Sequence, residues 1–239
     1  MNEIAMPKLI IFASGAKDGG GSGFENLVHA KNLGILKANI LGVVSNHPEG
    51  GVKARAERLG IPFFHIEPPW EAENYTRLLK SIYGQRTSYG DGGEGDCFVA
   101  LSGWLKPVHG LDPRFTINIH PGPLLRFGGP GMYGIHVHEK VIEAHKKGEL
   151  THSAVTMHFV TKKYDEGPVF FRYPVPIKKD YSPEILSVKV NHYEHIWQPY
   201  ITNMVIYREI GLRKISEEKF EIWTPKGYPF VDIMMTGWK

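Results

Sequence analysis

The feature that most constrains this chain is a repeated alternation. A short apolar run ends in a small or glycine residue, and a segment with apolar positions at helical spacing follows. The first run, Lys8-Leu-Ile-Ile-Phe-Ala-Ser14, has no polar position between its ends. It therefore predicts a strand buried on both faces, as parallel sheets require. The glycine-rich stretch Gly15-Ala-Lys-Asp-Gly-Gly-Gly-Ser-Gly23 comes next, then Phe24, Leu27, Val28 and Leu33 at helical spacing, which reads as strand, loop, helix. The same alternation predicts strands over residues 40–44, 62–66, 97–101 and 115–120. It predicts helices over 52–59 and 71–83, the latter with Tyr75, Leu78, Leu79 and Ile82 inward. Right-handed crossovers and a mostly parallel sheet follow from that order.

The C-terminal half changes character. A long Gly- and Pro-rich loop spans residues 121–134, and a helix over 135–147 carries Val137, Val141 and Ile142 on one side. Residues 153–159 and 168–177 alternate polar and apolar, as antiparallel strands with one wet face do. The fold class is thus α/β, a Rossmann-like doubly wound, mostly parallel sheet with antiparallel strands in the C-terminal half. Ser182-Pro183-Glu184 is a helix start, with Ser as cap and Pro at the first helical position, and the helix is expected to run to Ile210 with a kink at Pro199. Phe220-Glu-Ile-Trp223 and a Tyr/Pro/Gly-rich tail predict an appended hairpin. We therefore expect one domain over residues 1–210 and a C-terminal extension, 211–239, packed on it. Residues 85–96 hold four glycines and almost no apolar side chain, so they read as a flexible surface loop within the domain.

Composition narrows the class further. Hydrophobic residues at 42% and charged residues at 22% exclude a disordered chain and a fibrous repeat. A formal charge of +3 tolerates anionic small molecules and gives no argument for a nucleic-acid partner. The one cysteine, Cys97, cannot form an internal disulfide, no apolar run reaches the ~20 residues of a membrane span, and residues 1–8 lack a secretory pattern. A cytoplasmic monomer or homodimer, with no membrane partner, is the expectation.

The glycine loop leads into a helix start, where free amides and the helix dipole favour a phosphate. It is not a Walker motif. Gly15 and Gly20 have the right separation, but Gly21-Ser22 stand where Lys-Ser/Thr is required. Nor is it a dinucleotide fingerprint, because no third glycine follows Gly21 and Gly23 at the needed step, and the second strand ends in Val44-Ser45-Asn46 without an acid for a ribose. The same glycines would also serve a mobile loop that merely turns.

Asn118 and His120 lie two apart on one predicted strand, so both point to the same face at its carboxyl end. An amide donor beside an imidazole suits acyl transfer: the amide stabilises a developing oxyanion and the ring moves a proton. Asp165, in the turn before Gly167-Pro168, is a candidate to orient the ring and raise its pKa. Each residue alone has a plainer use, since strand-end Asn and His commonly satisfy local backbone groups and Asp is common in turns.

Together the segments Phe115-Thr-Ile-Asn-Ile-His-Pro121, Gly134-Ile-His-Val-His138, Val155-Thr-Met-His-Phe-Val160 and Tyr164-Asp-Glu-Gly-Pro-Val169 resemble the folate-dependent formyltransferases in order and spacing. Ser14-Gly15, Gly21-Ser22, Val44-Ser45-Asn46 and Ser102-Gly103-Trp104 extend the likeness over roughly residues 8–210, most closely to the glycinamide-ribonucleotide branch. The resemblance implies formyl transfer from 10-formyltetrahydrofolate, as co-substrate and without a metal, to the amine of glycinamide ribonucleotide in purine synthesis. It implies that Asn118 binds the formyl oxygen, His120 assists proton transfer, and Asp165 positions His120 and a water. By the same likeness Gly21, Ser22 and Gly23 hold the substrate phosphate and Glu194 grips the ribose. The folate would lie against Leu105, Lys106, Val108, Val160 and Tyr164.

The chain departs from the family's pattern at two loops. Residues 17–20 look like an insertion, with Gly23 where the family has Asn; and Pro-Gly-Pro-Leu-Leu-Arg126 and a longer Phe-Gly-Gly-Pro-Gly-Met-Tyr133 segment follow His120. No arginine near residues 71–77 matches one that the family places against substrate. Three rivals share the motifs: a formyltransferase acting on methionyl-tRNA or an amino sugar nucleotide, a hydrolase releasing formate from the same folate, and a folate- or nucleotide-binding module without turnover. A metal cluster of His120, His136 and His138 is a fourth, disfavoured because residues two apart at a helix start do not share a face.

Overall fold

The computed structural model describes residues 6–17, 19–84, 97–216 and 219–230. The N-terminal half runs β1 (Lys8–Phe12), α1 (Ser22–Asn32), β2 (Asn39–Ser45), α2 (Gly51–Leu59), β3 (Phe63–His65), α3 (Ala72–Tyr83), β4 (Cys97–Leu101). A 3-10 turn, Pro113–Phe115, leads into β5 (Thr116–His120). Then come α4 (Leu124–Phe127), α5 (Ile135–Lys146), β6 (His152–Phe159), β7 (Val169–Pro176), α6 (Pro183–Ile206), β8 (Gly211–Lys214) and β9 (Phe220–Trp223). One sheet has the order β3-β2-β1-β4-β5-β6-β7. Its strands are parallel through β5, and β6 and β7 are antiparallel to their neighbours.

The period-2 pleat of β1 splits the core between the two faces of the sheet. Leu9 and Ile11 enter the cluster under α1, α5 and α6; Ile10 and Phe12 enter a second cluster with Tyr75, Leu79, Val99 and Trp104 on the α3 side. All five residues of β4 are buried, which is why a run as short as Cys97-Phe-Val-Ala-Leu101 could be recognised from sequence. Ser182 caps α6, its Oγ accepting from the Ile185 amide at 3.3 Å, with Pro183 in the first turn. Beyond α6, β8 and β9 pair antiparallel, and the Phe230 ring packs 5.0 Å from Trp197 and 4.9 Å from Phe171.

Three expectations are corrected. The helix α6 ends at Ile206, short of Ile210, because Arg208 turns left-handed at φ 63 and sends its guanidinium over the Phe98 and Phe115 rings, at 4.9 and 4.2 Å. The loop after His120 is not wholly irregular, since Leu124–Phe127 makes one helical turn that buries Leu124 and Phe127. And β6 has no wet face, being buried from Ser153 to Phe159. The loop after β5 covers its second face, with Thr156 Oγ1 donating to the Gly122 carbonyl at 2.7 Å. The expected surface loop at 85–96 and most of the tail, 231–239, lie outside the described residues.

Candidate active site

The chain changes direction across the sheet between β1 and β4, since β2 and β3 lie on one side and β5 on the other. Open α/β sheets bind ligands beyond the strand ends at such a point. The two loops that leave β1 and β4 there are tied together. The Ser14 amide donates to the Gly103 carbonyl at 3.0 Å, the Ser102 amide to that of Phe12 at 2.8 Å, and the Leu105 amide to Ser14 Oγ at 2.9 Å.

A cavity of about 330 Å³ opens beyond the carboxyl ends of β4 and β5. Its walls include Leu101, Trp104, Leu105, Val108 and Val160, and Asn118, His158 and Asp165 supply polar groups. All five residues expected at the folate, Leu105, Lys106, Val108, Val160 and Tyr164, line it. Lys106 Nζ stands 5.8 Å from the Trp70 ring centroid. An apolar slot with convergent polar groups is what a flat, partly polar heterocycle needs.

The polar groups form one network. Asn118 faces His158 across the β5–β6 pairing, and its Nδ2 lies 3.0 Å from His158 Nε2 and 3.4 Å from Asp165 Oδ1. A carbonyl can only accept, so His158 Nδ1, 3.0 Å from the Phe159 carbonyl, carries a proton, and Nε2 lies between the Asn118 amide and Asp165 Oδ1, 3.7 Å away. His120 is 3% exposed and does not reach the cavity wall. Its Nδ1 lies 3.8 Å from Asp165 Oδ2 and its Nε2 donates to the Phe127 carbonyl at 2.7 Å. Asp165 is therefore the hub: it meets Asn118, His120 and His158, and accepts from the Gly129 amide at 3.1 Å. Its backbone is left-handed at φ 57, a conformation that Asp adopts more readily than most non-glycine residues.

Burial would push the Asp165 carboxyl up, but the His158 and His120 rings and the Gly129 amide outweigh it and hold the acid below its ordinary range. The group stays ionised. His120 goes the other way: burial holds it below the usual imidazole range, against the pull of Asp165 and the Phe127 carbonyl, so the expected rise in its pKa is not found. His138, buried beside His120, is pushed down to about 4 by desolvation and by its neighbour, and its Nδ1 has no partner. His136 sits apart on the surface, 3.0 Å from Glu139. Among the described residues no group of three or more His, Cys, Asp or Glu side chains could hold a metal ion.

The described residues of the glycine loop are tied to one another and to α2. Ala16 and Gly19 bridge, the Gly51 amide at the start of α2 donates to the Ala16 carbonyl at 3.0 Å, and Arg55 Nε donates to that of Gly20 at 2.9 Å. Gly21, the α1 cap, is left-handed at φ 79 and has no side chain to engage the first amides of the helix. Gly23 lies so close to Ser102 that a Cβ there would stand 2.2 Å from Ser102 Oγ and 3.5 Å from Gln198 Oε1. Glu194 is half-buried one turn before Gln198 on α6, and burial raises its carboxyl to about 7, with only Asn191, at 3.5 Å, to lower it.

His158 had no assigned role in the sequence analysis. Its position directly opposite Asn118 depends on the β5–β6 register, and the signal available was its place in the Val155-Thr-Met-His-Phe-Val160 segment that carries part of the family resemblance.

An open α/β sheet that sets an amide donor, a carboxylate and two imidazoles beside its strand ends has the groups that acid–base enzymes of acyl chemistry use. Residues 107–202 match the formyl transferase family. The chain is 31% identical over 229 residues to the chloroplastic phosphoribosylglycinamide formyltransferase of Arabidopsis thaliana, covering 94% of this chain and 70% of the relative. It is 29% identical to the phosphoribosylglycinamide formyltransferase of Schizosaccharomyces pombe, covering 79% and 91%. The fold matches the crystal structure of glycinamide ribonucleotide transformylase 1 from Symbiobacterium toebii with TM-score 0.69 at 21% identity, over 91% of this chain and 94% of that one. The chain belongs to the formyltransferase family, in the branch of the phosphoribosylglycinamide formyltransferases.

Proposed function

We propose that this enzyme transfers the formyl group of 10-formyltetrahydrofolate to the primary amine of glycinamide ribonucleotide, the activity after which its relatives are named. The observation that carries the reading is the convergence of Asn118, His158 and Asp165 at the polar end of one apolar cavity, within a likeness that spans 94% of the chain. The folate supplies the formyl carbon. Asn118 exchanges its contact with His158 for the formyl oxygen and donates to it as charge develops there. Asp165, on the cavity side of His120, orients that ring and a water. His120 assists the passage of the amine proton to the folate nitrogen as one C–N bond forms and the other breaks. The amides at Gly21, Ser22 and Gly23 hold the acceptor's phosphate and Glu194 its ribose hydroxyls. The ring system of the folate lies along Leu105, Lys106, Val108, Val160 and Tyr164.

The reading takes the enzyme as a monomer or homodimer acting on small molecules in the cytoplasm. No helix among the described residues is long and apolar enough to cross a membrane, and three plant relatives that each match 94% of the chain are named chloroplastic. The test supplies 10-formyltetrahydrofolate with glycinamide ribonucleotide, methionyl-tRNA or an amino sugar nucleotide in parallel, and follows the deformylated folate. Turnover is expected with the first alone; release of formate without acceptor would make it a hydrolase. Asn118→Ala and Asp165→Ala should each lower kcat ~10²-fold or more. Unchanged rates in both variants would remove the mechanism.

A further inference from the structure

The segment after β5 makes backbone contact with both halves of the acid–base pair. The Phe127 carbonyl accepts from His120 Nε2 at 2.7 Å. Two residues on, the Gly129 amide donates to Asp165 Oδ2 at 3.1 Å. Between them Gly128 is extended, at φ −110, and packed so tightly that a Cβ would stand 2.7 Å from the Leu124 carbonyl oxygen and 3.2 Å from Asp165 Cβ. The one-turn helix α4 sets this spacing, with Arg126 and Phe127 amides both donating to the Pro123 carbonyl at 3.0 Å.

We propose that residues 127–129 form a backbone clamp that positions the pair, the Phe127 carbonyl fixing His120 in the Nε2–H tautomer so that Nδ1 faces Asp165, and the Gly129 amide holding the carboxylate against it. The geometry leaves little choice of tautomer, because a carbonyl oxygen cannot donate and Nε2 must carry the proton. Nδ1, 3.8 Å from Asp165 Oδ2, is then the position at which a further proton is shared between ring and carboxyl group. The clamp thus stores the arrangement in which a proton taken from the substrate amine has a place to rest. Other titratable groups near the pair are His158 from β6, His138 from α5 and Tyr164 beside Asp165. None of them contacts the Phe127 carbonyl. The segment is a positioning element, since nothing in it needs to touch substrate.

The inference rests on the formyl-transfer reading only for its kinetic readout. Nitrogen chemical shifts of ¹⁵N-histidine-labelled protein, without substrate, report the tautomer directly: His120 is expected as Nε2–H in the natural chain. Gly128→Ala should leave a folded protein in which His120 populates both tautomers. Its kcat should fall ~10-fold, with KM for either substrate changed less than about threefold and the acid limb of the pH–rate profile moved to higher pH as Asp165 loses its amide partner. Leu125→Ala, in the same turn and 80% exposed, should move neither readout. An Nδ1–H tautomer in the natural chain would overturn the clamp. So would a folded Gly128→Ala variant with unchanged shifts and pH profile. Absence of turnover with every acceptor would sink the formyl-transfer reading while the tautomer result stands.

Discussion

At the residue scale, the site is governed by where burial and partners disagree. Asp165 and Glu194 are both carboxyls withdrawn from water, yet their acidities move in opposite directions. Asp165 has two imidazoles and an amide around it and stays ionised, whereas Glu194 has one weak amide contact and rises to about 7. For Glu194 the sign of the stability effect follows by linkage. A carboxyl raised on folding costs nothing while both states are protonated, below ~4.5. Stability is then lost as pH climbs toward about 7, because the unfolded chain sheds its proton first. Glu194→Gln is therefore expected to raise the melting temperature at pH 8 and leave it nearly unchanged at pH 4.5, while weakening acceptor binding at both. Melts of equal height at pH 8 would show that the carboxylate has found a partner in the folded chain. The pairing of Asn118 with His120 was legible in the sequence because period 2 is a local feature, whereas Asp165 was only a candidate until the family resemblance joined it to them. The order within the set was not legible: that Asp165, rather than His120, fronts the cavity depends on how the loop after β6 closes and on the Phe127 carbonyl that holds the ring back.

At the scale of elements, legibility followed burial and length. Fully buried strands such as β4 and the Ser-Pro start of α6 carry their own punctuation, and the structure places them within a residue or two of the expected bounds. The single turn α4 escaped because four helical residues inside a Gly- and Pro-rich stretch leave no period to read. The dry second face of β6 escaped because its cover is a distant loop, not a pattern in the strand. The start of α1 offers a test of how closely elements meet. The substitution Gly23→Ala puts a Cβ 2.2 Å from Ser102 Oγ, whose hydrogen bond to Gln198 ties the loop after β4 to α6. It should raise KM for the acceptor ~10-fold or more, on the scale of two displaced amide contacts to phosphate, and leave KM for the folate within about twofold. A larger effect on the folate would relocate the phosphate site.

For the whole molecule, the sheet unites two architectures. The C-terminal segment is fastened to its antiparallel side by the Phe230, Trp197 and Phe171 rings and by the Arg172 amide donating to the Phe230 carbonyl at 3.1 Å. Phe230 is half-buried, so Phe230→Ala should cost ~1–2 kcal/mol, below the range for a fully buried ring. A urea midpoint lowered at constant m-value is the expected result, and an unshifted midpoint would mean the extension rides on the domain without supporting it. The strand β5 alone borders both architectures, parallel to β4 on one edge and antiparallel to β6 on the other. A strand with unlike neighbours cannot slip along one without breaking its ladder with the other, so the facing of Asn118 and His158 is anchored from both edges.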